Sequence, residues 1–419
     1  MNISLFIARR LQLKGSKRHT SSSSSIIAGT GVSIAIFVMV LTLCVVLGFK
    51  NQIREKVTGF DSQITINPPL VINDSSDLSI RFNDTIRSLI NSAITDTTNI
   101  SASLSIKQPG IMKTDENFAG LIFKGINSSS NISFIESNLL EGKIPDYTND
   151  SCKNQIVISS ATAKSLEIKV GDKINTYFFT DNNIRARKFE VAGTYNSNFG
   201  EYDKLIAYAY LPTLQRIAQL DSLSGTSIEI NGLNTDDIES QANALQTKIN
   251  QAVYNQKLDK IYNIDNVQHS GAIYFNWLDL LDANVIVILI LMSCVAGFTL
   301  ISCLFILILE RVKTIGLLKS LGATNSQVRR IFIHMAQRLV LRGMIIGNIL
   351  SLIFVFLQQK YHLIPLDPEA YYLNCVPVEI NWWHILILNI GVIVITSLIL
   401  ILPSHLASKI SPAQTMRYE

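Results

Sequence analysis

Four runs of apolar residues with almost no charge constrain this chain more than any other feature. They are Ile26–Phe49, Val285–Leu309, a stretch centred on Gly343–Leu357, and Trp383–Leu402. A helix rises about 1.5 Å per residue and bilayer hydrocarbon is about 30 Å thick, so roughly 20 such residues cross it. Composition agrees, because 48% of the 419 residues are hydrophobic and only 16% are charged. The first run is laid out like a signal peptide. It is too long for one and lacks a small-x-small cleavage site, so it reads as a retained anchor.

Orientation follows from the short flanks, where Lys and Arg mark the cytoplasmic side. Arg9, Arg10, Lys14, Lys17 and Arg18 precede the first run, the 310–330 loop is basic, and Lys409 and Arg417 lie in the tail. An even number of spans keeps all three on one side. The expected layout is a cytoplasmic amphipathic segment 1–25, span 26–49, an extracytoplasmic region 50–282 and span 283–309. A cytoplasmic helix and loop 310–330, span 331–357, an outer loop 358–382, span 383–403 and a cytoplasmic tail 404–419 complete it. The fold class is thus α-helical membrane protein with four transmembrane helices and a large extracytoplasmic α+β domain between helices one and two.

That domain is rich in Asn, Ser, Asp and Thr, with short alternating apolar segments. Ile64–Ile66, Ile156–Ile158, Lys173–Phe179, Lys188–Val191, Ala207–Leu211 and Ser227–Ile230 read as strands, and 236–254 as an amphipathic helix. Gly171-Asp172 reads as a tight turn, and the N-x-S/T triplets at Asn127 and Asn131 as chance in an Asn/Ser-rich region. Cys152 and Cys375 lie outside the apolar runs, where a bridge is open to them; unpaired cysteines are the reading adopted.

Several chemistries are missing from the sequence. It has no G-x-x-x-x-G-K-[ST], no H-E-x-x-H, no G-x-S-x-G and no C-x-x-C, and its six histidines are scattered. A net charge of +4 without aromatic-basic interleaving gives no case for nucleic acid. No cofactor, metal or catalytic residue is expected, so the energy for any work must come from a partner.

The segment after the second run, E-R-V-K-T-I-G-L-L-K-S-L-G-A, is the candidate functional element. Wound as a helix, it sets Ile315, Leu317, Leu318 and Leu321 on one apolar side. Gly316, Ser320 and Ala323 form a stripe of small residues opposite, edged by Lys313 and Lys319. Gly322 suits a helix stop, and Thr324 with Gln327 a capping box. A small stripe permits close approach and the lysines favour an acidic partner, so this reads as a docking helix. Arg330, His334, Arg338 and Arg342 recur every four residues beyond it, a stripe that can snorkel to lipid head groups, the reading adopted, or rim a cavity.

With those residues in view, the loop E-R-x-K-x-I-G-L-L-K-S-L-G-A and the tail Pro403–Glu419 resemble the MacB/FtsX superfamily of ABC transporter permeases. L-F-I-A-R-R, Leu47–Ile66, Val191–Leu211 and Pro365–Trp382 resemble its lipoprotein-releasing members of the LolC/LolE type. The resemblance implies a MacB-like periplasmic core domain on a non-catalytic, multi-pass subunit of the bacterial inner membrane. It implies a dimer with a second permease subunit, the same chain or a related one, bound to a cytoplasmic ABC ATPase. Lipoprotein would be taken from the membrane lipid and passed to a periplasmic lipoprotein carrier. Glu310, Arg311, Lys313, Ile315, Gly316, Leu317, Lys319, Ser320, Gly322 and Ala323 would couple to the ATPase; Thr314 stands where the family commonly has Glu or Gln. The turn Thr180–Lys188 matches the carrier-binding hook of some members, making Asp181, Asn182, Asn183, Ile184 and Arg185 candidate carrier contacts, although it is shorter and lacks the usual prolines. A MacB-like efflux or mechanotransmission permease, and a membrane sensor or regulator of cell-wall hydrolases, are the competing expectations.

Overall fold

The computed structural model describes residues 20–68, 79–94, 100–180, 183–233, 237–310 and 312–401. Each apolar run is a helix, and three of the helices outrun it. The first is Thr20–Phe60, the second Ala272–Glu310, the third Asn325–Tyr361 and the fourth Trp382–Ile399. All four are long and apolar enough to cross a membrane. The overrun has a physical cause: no Pro stops the first helix where its apolar run ends, and Gly48 and Asn51 there remain helical. Ile53, Val57 and Phe60, spaced four and three, are instead fully buried along one side of its continuation.

The chain divides into two compact units. One comprises the chain up to Asn51, Trp277–Pro365 and the chain from Cys375 onward; the other comprises Gln52–Asn276 and Leu366–Asn374. In the first unit, residues without bulk set the helix contacts. A Cβ on Gly343 would stand 2.8 Å from Val32 and one on Gly347 2.7 Å from the Ser33 carbonyl, so the first and third helices meet at close range. Gly31 faces Thr299 of the second helix, and Gly297 faces Ile399 of the fourth. The third and fourth helices are joined by Asn348 and Asn389, whose side-chain amides exchange hydrogen bonds of 2.8 and 3.2 Å. Each amide also donates to the carbonyl four residues back, so the pair is well satisfied in apolar surroundings.

The second unit is an α+β domain. Its strands are β1 Ile64–Asn67, β2 Ile80–Arg81, β3 Ser101–Lys113, β4 Phe118–Ile126, β5 Leu139–Gly142 and β6 Gln155–Ser159, then β7 Lys173–Thr180, β8 Asn183–Tyr195, β9 Ile206–Tyr210, β10 Ser224–Gly225, β11 Ser227–Asn231 and β12 Asn263–Asn266. The large sheet runs β12-β1-β11-β3-β4-β9-β6-β8-β5, and β7 pairs with both β3 and β8. The pairings β3-β4-β9-β6-β8-β7-β3 therefore close into a ring of strands. Buried Phe123, Phe178 and Phe189 meet there with ring centroids 5.0 to 6.2 Å apart.

All six expected strands are present, with shifted ends. Lys188–Val191 is the middle of the longer β8, and Leu211 starts a helix rather than ending β9. The expected helix is Ile238–Tyr254, and it buries Ile238, Leu245 and Ile249; Asp236 lies outside the described residues. Gly171 takes φ +95° in its turn, where Asp172 accepts the Lys169 N–H at 2.7 Å. Asn127 and Asn131 accept hydrogen bonds from Ser129 and Ser133 two residues on, a local structural role. All five cysteines are free, Cys152 buried and Cys375 beside the His362 ring at 3.2 Å.

Two basic residues anchor the first helix's end to this domain. Buried Lys124 pairs with Glu229 at 2.9 Å and donates to the last helical carbonyl, Phe60, at 2.8 Å. Lys56 donates to the carbonyls of Ser197 and Tyr372.

Candidate functional site

The docking segment is a helix over Val312–Ser320, with Glu310 ending the second spanning helix and Arg311 outside the described residues. Its stop is a Schellman turn. Gly322 takes φ +91°, its N–H reaches the Lys319 carbonyl, and the Ala323 N–H reaches Leu318. Thr324 and Gln327 then form the full capping box that opens the third helix. Both punctuation marks were legible in the sequence.

The faces of the helix are not those the sequence suggested. Ile315 is 1% exposed and Gly316 is buried, while Leu318 and Ala323 lie against the same helical core. The small stripe therefore turns inward at Gly316, where lack of a side chain lets the helix lie close to its support. Leu317 and Leu321, expected on one apolar side with Ile315 and Leu318, are 61% and 77% exposed, with Ser320 exposed beside them. Lys319 is half-buried, and the Lys313 side chain lies outside the described residues. The physical reason is that one helix cannot bury Ile315 and Leu317 together, since two residues on a helix diverge by about 200°. What the helix offers outward is two leucines around a serine, a surface suited to a protein partner.

The candidate carrier turn is a hairpin. Thr180 pairs with Asn183 across the turn, and Asp181 and Asn182 lie outside the described residues. Asn183 and Ile184 are exposed. Arg185 lies on the strand face opposite Ile184, where its Nη1 donates to the Arg216 carbonyl at 2.9 Å. The three described residues thus do not share one surface. Sequence reasoning missed Phe179, directly opposite Ile184 and 51% exposed, which makes an apolar cross-strand pair at the tip. Period-two alternation along Lys173–Thr180 was the available signal.

A third cluster joins four segments of the α+β domain. Phe60, Phe199, Tyr202, Tyr274 and Tyr372 form a chain of ring contacts, with Phe199 4.8 Å from both Tyr274 and Tyr372. Beside it, Asp61 accepts from Lys107 at 2.8 Å and from the Tyr202 hydroxyl at 3.3 Å. Burial works to raise the Asp61 carboxyl, but Lys107 and, beyond it, Lys124 outweigh that and hold it below its ordinary value. Asp203 goes the other way: burial raises it despite hydrogen bonds from Ser197 and Phe199. No three His, Cys, Asp or Glu among the described residues converge as a metal site would require.

Comparison with known proteins covers both units. Residues 25–248 match the MacB-like periplasmic core domain, and residues 286–412 match the FtsX-like permease C-terminal family. A protein named lipoprotein-releasing system transmembrane protein LolC, from Xylella fastidiosa strain Temecula1, is 20% identical over 408 residues, covering 93% of this chain and 92% of its own. One named lipoprotein-releasing system transmembrane protein LolE, from Haemophilus influenzae, is 24% identical over 279 residues, covering 62% of this chain and 64% of its own. Among solved structures, the periplasmic region of MacB from Actinobacillus actinomycetemcomitans is 16% identical, covering 53% of this chain and 97% of that one at a TM-score of 0.34. With more than half its length matched by the first family, this chain belongs to the permeases built from a MacB-like periplasmic core domain and an FtsX-like C-terminal region.

Proposed function

We propose that this chain is the permease subunit of an ABC transporter that draws outer-membrane lipoproteins out of the inner membrane and hands them to a periplasmic carrier. The observation that carries the reading is the near full-length similarity to a protein named for lipoprotein release, 93% of this chain against 92% of that one. ATP hydrolysis belongs to a separate cytoplasmic subunit in this scheme, and a second permease, the same chain or a related one, completes the dimer. Both termini and the Val312–Ser320 helix face the cytoplasm, and the α+β domain faces the periplasm.

The work of the chain is mechanical. An ATPase closing on Leu317 and Leu321 pushes a helix whose other face, Ile315 and Gly316, is seated in the helical core. The third helix moves with the fourth through Asn348–Asn389 and with the first through Gly343 and Gly347. Lipoprotein enters between the first span of one subunit and the second of its neighbour, and the Phe179–Ile184 tip is the surface offered to the carrier.

Depletion of the protein in its host tests this reading. Outer-membrane lipoproteins should accumulate in the inner-membrane fraction of a density gradient. An unchanged distribution rejects lipoprotein release and leaves the efflux and sensor readings standing.

A further inference from the structure

A groove of about 730 Å³ runs between the first and third spanning helices, within the range of small-molecule sites. Its walls are nearly all apolar, including Ile34, Phe37, Ile353 and Phe354. Its floor is opened by Gly29, where an added Cβ would meet nothing within 4 Å. Near the end closest to the helix starts, one turn beyond Leu339, stands Arg342, the one member of the stripe Arg330, His334, Arg338 and Arg342 that lines it. From Arg342 to Leu357 the groove follows the third helix for roughly 22 Å, longer than the ~15 Å of one leaflet's hydrocarbon.

The Arg342 side chain is exposed, and among the described residues no carboxylate pairs with it. A guanidinium at the rim of an apolar groove needs an anion, and its planar fork suits a phosphate better than a point charge would. Apolar length ending at an unpaired guanidinium matches one occupant, a phospholipid with its acyl chain in the groove and its phosphate on Arg342. A zwitterionic head group brings an ammonium toward the same guanidinium, so an anionic head group fits better. We infer that the groove between the first and third helices is a specific site for one anionic phospholipid, held by Arg342. The site is separate from the path proposed for lipoprotein, which runs between subunits. It stands whether or not that function does.

The test uses the full chain reconstituted into nanodiscs of phosphatidylethanolamine with a minor share of phosphatidylglycerol, re-extracted in mild detergent and weighed by native mass spectrometry. The wild type should retain one phosphatidylglycerol per chain. Arg342→Gln should lower that occupancy about tenfold, the effect of one charge-assisted hydrogen bond, and Arg342→Lys should restore part of it. Gly29→Leu, whose Cβ meets nothing within 4 Å, puts bulk into the groove and keeps the charge; it should lose the lipid while the helical circular dichroism is unchanged. Equal retention of phosphatidylethanolamine, unchanged retention in Arg342→Gln, or no retained lipid at all overturns the proposal. So does an acylated lipoprotein as the retained species, or cysteine cross-linking that places a second copy of the chain in the groove.

Discussion

Single residues decide which surface the docking helix shows. Leu317→Asp with Leu321→Asp puts charge on an outward face and removes no buried contact, so the protein should insert and stay folded. Co-purification of the ATPase should fall at least tenfold, about the loss of one buried leucine contact; undiminished capture means the partner docks elsewhere. Gly316→Trp acts differently, because Gly316 is buried, and it should lower thermal stability as well as coupling. Asp61 supplies a prediction about pH. Its folded carboxyl lies below its ordinary value, so its ion pair stabilises the fold above the ordinary carboxylate range and the benefit is lost as pH falls through the lowered value. Asp61→Asn should remove that component: thermal melts of the full chain should show a lower midpoint near neutrality and a shallower decline on acidification. A parallel decline in both proteins would contradict this assignment.

At the scale of elements, the Asn348–Asn389 bridge is the sharpest case. Replacing Asn348 alone by Leu strands Asn389 in apolar surroundings and should cost about 1–2 kcal/mol. The double replacement by Leu should recover much of that in a steric-trap or denaturant titration; additive losses would mean the amides are not coupled. The same scale shows why the sequence was legible in places and opaque in others. Spans follow from uncharged length, and the Gly322 stop and Thr324–Gln327 box follow from local chemistry, so all could be read directly. Strand β3 could not, because Pro109 and Gly110 interrupt its pattern. The structure accommodates Pro109 between two partners, since β11 pairs only as far as Ser105 and β7 begins at Gly110. The missing N–H falls where no ladder bond is asked of it. The faces of the docking helix were misread for a related reason: a helix wheel ranks residues by polarity, whereas Ile315 and Gly316 are chosen by the shape of what lies beneath.

For the whole molecule, the family was legible end to end, since its signatures sit in the docking segment, the tail and the 365–382 loop. Contacts between segments far apart in sequence were not. Nothing in Y-Y-L-N announces that Tyr372 belongs with Phe199, Tyr274 and Lys56. That placement bears on how the α+β domain can be studied in isolation. Scissors applied at Asn51 and Asn276 yield a contiguous fragment that lacks Leu366–Asn374, nine residues counted with the same unit. The fragment would carry an uncovered aromatic surface at Phe199 and Tyr274 and an unoccupied donor at Lys56. It should self-associate, and a synthetic peptide of Leu366–Asn374 should bind it and raise its melting temperature, with Tyr372→Ala in the peptide abolishing the gain. A fragment that is monomeric and indifferent to the peptide would show the nine residues to be dispensable. The domain is, in this sense, a split protein whose smaller piece follows the second and third long helices in the chain.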